Sequence, residues 1–87
     1  MKSKKMNRTE IEEKVRAFLT NEFEIDEDRI FDDAKLKEDM GLDSLDYVDI
    51  VMIVYQNYGF RIKLEEMKDV KTFKQFCDYI KEKLATK

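Results

Sequence analysis

The chain has no His, no Pro and no Trp, one Cys and two Gly among its 87 residues. Without His it lacks the side chain most used for proton transfer near neutral pH. One Cys excludes an intramolecular disulfide and any Cys-cluster metal site. No apolar run approaches the ~18 residues of a membrane span. The opening Met1-Lys2-Ser3-Lys4-Lys5-Met6 is basic, but no apolar segment follows it, so it does not read as a secretory signal. What is present is 43% apolar and 43% charged residues, and that apolar share argues against full disorder. The length allows one domain, which buries only about 60–65% of its unfolded surface and so has a small core. The expectation is a soluble helical domain of a reducing, cytoplasmic compartment. Composition argues against an enzyme.

The net charge of -3 is unevenly spread. Residues 1–8 carry four bases and no acid, residues 22–49 carry twelve carboxylates against three bases, and residues 61–87 carry eight bases against five acids. The acidic block repels nucleic acid and acidic membranes and attracts a basic partner surface. Charged residues also simply solvate helix faces, and that reading stands beside the first.

Periodicity and capping signals divide the chain into helices. Thr9-Glu10-Ile11-Glu12 matches a capping box, and Ile11, Val15, Phe18 and Leu19 then form one apolar stripe that ends near Asn21. The stretch from 22 to 42 has no sustained period. Phe23, Ile25, Ile30, Phe31, Leu36 and Met40 read as anchors that pin a long loop to the core. A second helix is predicted from Ser44 to Tyr58, stopped by Gly59. Between Ile62 and Val70 there is room for one or two turns, with Leu64, Met67 and Val70 on one side. The last helix starts at a second capping box, Thr72-Phe73-Lys74-Gln75, and buries Phe73, Phe76, Cys77, Ile80 and Leu84. The predicted fold is all-α, a small four-helix bundle of three longer helices and one short one, with a long first loop. Residues 1–8 read as a basic tail and 9–85 as the single domain.

The second helix carries more apolar surface than a fold needs. At about 100° per residue its apolar positions cover an arc of roughly 220°, where a surface helix needs little over ~100°. One explanation is a central helix buried on several sides. The other divides the arc. Tyr47, Ile50, Val51, Val54 and Tyr58 then face the core, while Leu45, Val48 and Met52 form a strip beside Asp49 and Gln56, suited to an apolar, basic partner.

The start of that helix carries the decisive pattern. Glu38-Asp39-Met40-Gly41-Leu42-Asp43-Ser44-Leu45-Asp46, followed by Val48-Asp49-Ile50-Val51-Met52, resembles the acyl carrier proteins, and the likeness runs without gaps over residues 8–84. Ile62, Glu65-Glu66 and Asp78-Tyr79-Ile80 stand at family-like spacing. The resemblance implies that Ser44 bears a 4′-phosphopantetheine arm, attached by a phosphopantetheinyl transferase from coenzyme A with Mg²⁺. The arm's thiol would hold acyl groups as thioesters for acyl transferases and synthases, in fatty-acid or related lipid biosynthesis. Asp43, Leu45, Asp46, Val48, Asp49 and Met52 are the implied partner-recognition residues. The expected protein is a monomeric carrier, not an enzyme, with no metal of its own.

Elementary chemistry agrees with that role for Ser44. A helix N-terminus offers unpaired amides and partial positive charge to a phosphodiester, although a Ser there is most often only a cap. Gly41 allows the turn and leaves space for an approaching enzyme. Nothing nearby deprotonates the hydroxyl, so a partner must activate it. Val51, Val54, Ile62, Phe73 and Phe76 are candidate walls for an acyl chain and equally good core residues. Cys77 reads as a small buried hydrophobe.

The pattern also departs from the common fatty-acid carriers. Tyr55-Gln56-Asn57 stands where they continue into glutamates, Leu42 replaces a small residue, and Lys63 follows Ile62 in place of Pro. A specialised carrier for a polyketide, peptide or amino-acyl pathway is the alternative, and a helical interaction module without a prosthetic group is the rival from another class. An EF-hand fails, because Ile30 and Phe31 stand where an oxygen ligand and a Gly are needed.

Overall fold

The computed structural model describes residues 7–85. Four helices follow in order: α1 (Arg8–Phe23), α2 (Ser44–Tyr58), α3 (Leu64–Met67) and α4 (Phe73–Ala85), with a 3-10 turn at Glu27–Arg29 between the first two. Among the described residues there is no strand, only an isolated bridge between Lys35 and Thr72. The predicted all-α bundle with three longer helices, one short helix and a long first loop is the fold observed. Of the basic segment 1–8, residues 1–6 lie outside the described residues, whereas Asn7 and Arg8 begin α1.

The predicted start of α1 at Thr9 is corrected. The cap is Asn7, whose Oδ1 accepts from the Glu10 N–H at 2.8 Å while Glu10 Oε1 accepts from the Asn7 N–H at 3.1 Å. Glu12, expected to close a box with Thr9, instead takes Arg8 Nε at 2.9 Å. Arg8 is also held by the Asp78 carboxylate on α4 and by the Lys74 carbonyl. Asn is in any case the stronger cap residue. The helix runs two residues past Asn21 and ends at Glu24, whose left-handed backbone (φ 57°) breaks the repeat.

Ile11, Val15, Phe18 and Leu19 bury as one stripe against Phe73, Phe76, Cys77 and Ile80 of α4. Phe18 and Phe76 meet edge to face at 6.3 Å. The capping box at α4 forms as predicted, with the Gln75 N–H donating to Thr72 Oγ1 and Gln75 Oε1 accepting from the Thr72 N–H. Leu84 is only partly buried.

The long loop is ordered by two means. Ile25, Ile30, Ala34, Leu36, Met40 and Leu42 are buried in the core, Phe23 packs against it, and Phe31, expected as an anchor, is half exposed instead. The backbone then ties the loop to α4. Phe73 N–H donates to the Ala34 carbonyl at 2.9 Å and Lys74 N–H to the Asp32 carbonyl at 3.0 Å. These are helix-start amides that lack an intrahelical partner, so the loop serves as a cap for α4. Arg16 adds a bond to the Ile30 carbonyl at 2.7 Å. The chain therefore arrives at residue 43 along a defined path.

Candidate functional site

The turn into α2 is fixed by a reciprocal pair of carboxylates. Asp43 Oδ1 accepts from the Asp46 N–H and Asp46 Oδ2 from the Asp43 N–H, each at 3.1 Å. Asp43, not Ser44, is therefore the cap, and Ser44 is the first residue of the helix. That assignment leaves the Ser44 side chain exposed, with no described residue hydrogen-bonded to its hydroxyl. The first-turn amides lie beside it, with the Asp43 and Asp46 carboxylates one and two residues away in sequence.

Gly41 precedes the turn at φ 74°, in the left-handed region. A Cβ built there would meet nothing within 4 Å, so the turn needs glycine for its backbone conformation and not for space. Leu42, which stands where the common carriers have a small residue, points inward and is 4% exposed. It anchors the loop end to the core.

Helix α2 divides its apolar arc as the two-faced reading expects. Tyr47, Ile50, Val54 and Tyr58 are buried and Val51 is half-buried. Leu45, Val48 and Met52 are 77%, 45% and 58% exposed. Asp49 is exposed beside them. Tyr55, 51% exposed, continues the strip to the far end of the helix. There the Arg61 guanidinium lies 5.5 Å from its ring centroid, a cation over an aromatic face. The strip was read from the sequence without Tyr55 and Arg61. Tyr55 lies within 60° of Val48 and Met52 on the helical wheel, and that spacing was the available signal.

Beside Ser44 the surface sinks into a groove of about 530 Å³. Ser44 and Tyr47 of α2 form one side, and Leu64, Met67 and Lys68 the side built on α3. Lys37, Glu38, Val70 and Lys71 complete it from the connecting segments. The expected acyl walls Val51, Val54, Ile62, Phe73 and Phe76 do not line it. Apart from half-buried Val51 they are fully packed core.

Two further groups show what the core does not offer. Cys77 is buried, and burial pushes its thiol up to about 12. It is an inert hydrophobe and not a second thiol for chemistry. On α3, Glu66 accepts from the Tyr79 hydroxyl and lies 3.5 Å from Lys83 Nζ, which ties the short helix to α4. That hydrogen bond, with Lys83 assisting, holds the Glu66 carboxyl below its usual range. No helix among the described residues is long and apolar enough to cross a membrane.

Residues 13–80 match the family described as "Phosphopantetheine attachment site". The chain is 35% identical over 80 residues to an acyl carrier protein of Thermosynechococcus vestitus, covering 92% of this chain and 99% of that one. It is 33% identical over 79 residues to an acyl carrier protein of Thermotoga maritima, covering 91% and 98%. A solved structure of the acyl carrier protein from Enterococcus faecalis matches with a TM-score of 0.73 at 28% identity, over 88% of this chain and 98% of that one.

Proposed function

The chain belongs to the acyl carrier protein family, and from that premise we propose that Ser44 is the residue that bears the prosthetic arm. Members of the family hold 4′-phosphopantetheine covalently and are carriers, not catalysts, so this chain has acyl cargo and partner enzymes. When attached, the arm supplies a terminal thiol on which acyl groups are held as thioesters. The observation that carries the assignment is the division of labour at the turn: Asp43 caps α2, which leaves the adjacent Ser44 hydroxyl exposed and unengaged.

The chain's own residues do the rest. The Asp43–Asp46 pair holds the turn, and the first-turn amides and helix dipole favour a phosphodiester at Ser44 Oγ. Among the described residues no side chain accepts the Ser44 proton, so activation falls to a phosphopantetheinyl transferase acting with coenzyme A and Mg²⁺. A tethered thioester then reaches successive acyl transferases and synthases at an effective concentration on the order of millimolar. Leu45, Val48 and Met52, with Asp43, Asp46 and Asp49 beside them, form the face that meets those partners: apolar in the middle, acidic around Ser44. The free, buried Cys77 is in keeping with a reducing, cytoplasmic setting.

The pathway we propose is fatty-acid or related lipid biosynthesis. A specialised polyketide, peptide or amino-acyl pathway is the second reading, and the Tyr55–Arg61 pair favours it. Past Asp49, α2 carries no further acid; its far end is aromatic, and basic Arg61 lies just beyond it. Incubation with coenzyme A, Mg²⁺ and a broad-specificity transferase should add one phosphopantetheine to the intact mass, and Ser44→Ala should abolish the gain. A gain that persists in the variant would place the arm elsewhere.

A further inference from the structure

The groove beside Ser44 has a charge as well as a shape. Lys37, Lys68 and Lys71 stand on its lining against one acid, Glu38, so the lining is net positive in a chain whose net charge is -3. The backbone joins the two segments that carry Lys37 and Lys71. Leu36 N–H donates to the Lys71 carbonyl at 2.8 Å, and Gly41 N–H to the Lys37 carbonyl at 3.1 Å, which fixes both segments at the rim. Lys68 closes the C-terminal end of α3. None of the three is ion-paired with a described residue. Beneath them Tyr47, Met67 and Val70 give an apolar floor, each of the three mostly buried. The volume lies within the ~300–1,000 Å³ usual for small-molecule sites.

Resting on the attachment reading above, we infer that this groove receives the acyl end of the arm when the acyl group has a short apolar body and a carboxylate at its far end. The methylenes lie on Tyr47, Met67 and Val70, and the carboxylate sits among Lys37, Lys68 and Lys71. Concave walls of low polarity strengthen such a pairing, and ammonium–carboxylate hydrogen bonds are charge-assisted. An uncharged acyl chain would cover the same floor and leave all three ammonium groups without a partner. A phosphodiester would be bonded to Ser44 itself, where the first-turn amides of α2 favour it. It is also common to every loaded form, so it cannot distinguish one cargo from another.

The test loads the full chain from coenzyme A, pentanoyl-coenzyme A or glutaryl-coenzyme A with a broad-specificity transferase and confirms each product by mass. The two acyl groups have the same carbon count and differ in the terminal carboxylate. Glutaryl should shift the backbone amide resonances of Met67, Lys68 and Val70 more than pentanoyl does. It should also slow cleavage of the thioester by hydroxylamine about 2- to 5-fold relative to pentanoyl, the range of exposed ion pairs. The difference should fade at high salt. The exposed lysines can be replaced without disturbing the core, so K37Q/K68Q/K71Q should keep its helical spectrum and its mass gain while losing the glutaryl preference. Equal shifts and rates for the two cargoes overturn the inference. So does a glutaryl preference that survives the triple substitution. Absence of any mass gain overturns the Ser44 assignment itself, a separate and distinguishable failure.

Discussion

Helices α2 and α4 have 15 and 13 residues and divide their apolar side chains in opposite ways. On α4 the large apolar residues are buried or half-buried, and the outer face is Lys74, Gln75, Asp78, Lys81 and Glu82. On α2 four large apolar residues are buried and four others, Leu45, Val48, Met52 and Tyr55, are exposed. A helix that only has to fold stops at a stripe of ~100°. The surplus on α2 has no use in packing, and it runs along the face that begins at Ser44. The two helices thus separate residues that hold the fold from exposed apolar residues that packing does not explain.

The strongest test removes core from each helix. Phe76→Ala on α4 should cost about 3–5 kcal/mol and Ile50→Ala on α2 about 2–5 kcal/mol. Both residues are 1% exposed. An 87-residue domain has only about 4–13 kcal/mol in total, so urea denaturation should show both variants close to unfolding. If Ile50→Ala proved mild, the inner face of α2 would be less tightly packed than its burial implies.

The core's ionisable groups give a second test, in alkali. Burial raises Cys77 from 9.0 to about 12 on α4 and Tyr58 from 10.0 to about 12 on α2. The unfolded chain therefore releases these protons first, so it binds fewer protons than the native state and stability falls as pH rises. The loss begins above about 9 and continues to about 12, while stability from these groups is intact below that window. Thermal midpoints measured from pH 8 to 11 should fall, and Cys77→Ala should fall less steeply than the parent. Parallel curves would mean that the thiol titrates outside the window.

The cap of α2 should come next in size. Asp43→Ala removes the acceptor for the Asp46 N–H and should cost about 0.5–2 kcal/mol. Because the same pair sets the turn at Ser44, transfer of the arm should also slow. A variant destabilised but loaded at the parental rate would show the turn to be set by the helix and not by its cap.

What could be read before the structure was known followed how local the cause was. Gly59 ending α2 and the Thr72–Gln75 box depend on residues a few places apart, and both were legible. At α1 the Thr9–Glu12 pattern was read as the cap and the overlapping Asn7–Glu10 pattern was passed over, although Asn is the stronger cap residue. A distant cause acts with this local one: Arg8 draws Glu12 away and is itself held by Asp78, 70 residues distant in sequence. Phe31 looked like an anchor because an aperiodic loop gives no face to count. Its exposure follows from which neighbours, Ile30 and Ala34, the bonds to α4 and Arg16 draw inward. The Asp43-Ser44-Leu45 pattern was legible as a motif, but that Asp43 takes the cap and leaves Ser44 unengaged needed coordinates. The groove was invisible because its lining comes from α2, α3 and two connecting segments, and no single stretch carries its signature.

The smallest effect on stability should come with a large effect on use, and it decides whether the surplus on α2 is functional. Met52 is 58% exposed on the same helix as Ile50. Met52→Ala should change stability by less than about 0.5 kcal/mol, as surface substitutions do. If the strip is where partners sit, the same variant should lower kcat/KM for arm transfer about 5- to 30-fold, the effect of losing one central apolar contact. Lys81→Ala on the outer face of α4, also exposed, should change neither quantity. Asp49→Lys adds a check on charge, since it should slow association most at low salt. Transfer at the parental rate by Met52→Ala and Asp49→Lys together would return α2 to the same class as α4, a helix whose exposed side chains serve only solvent.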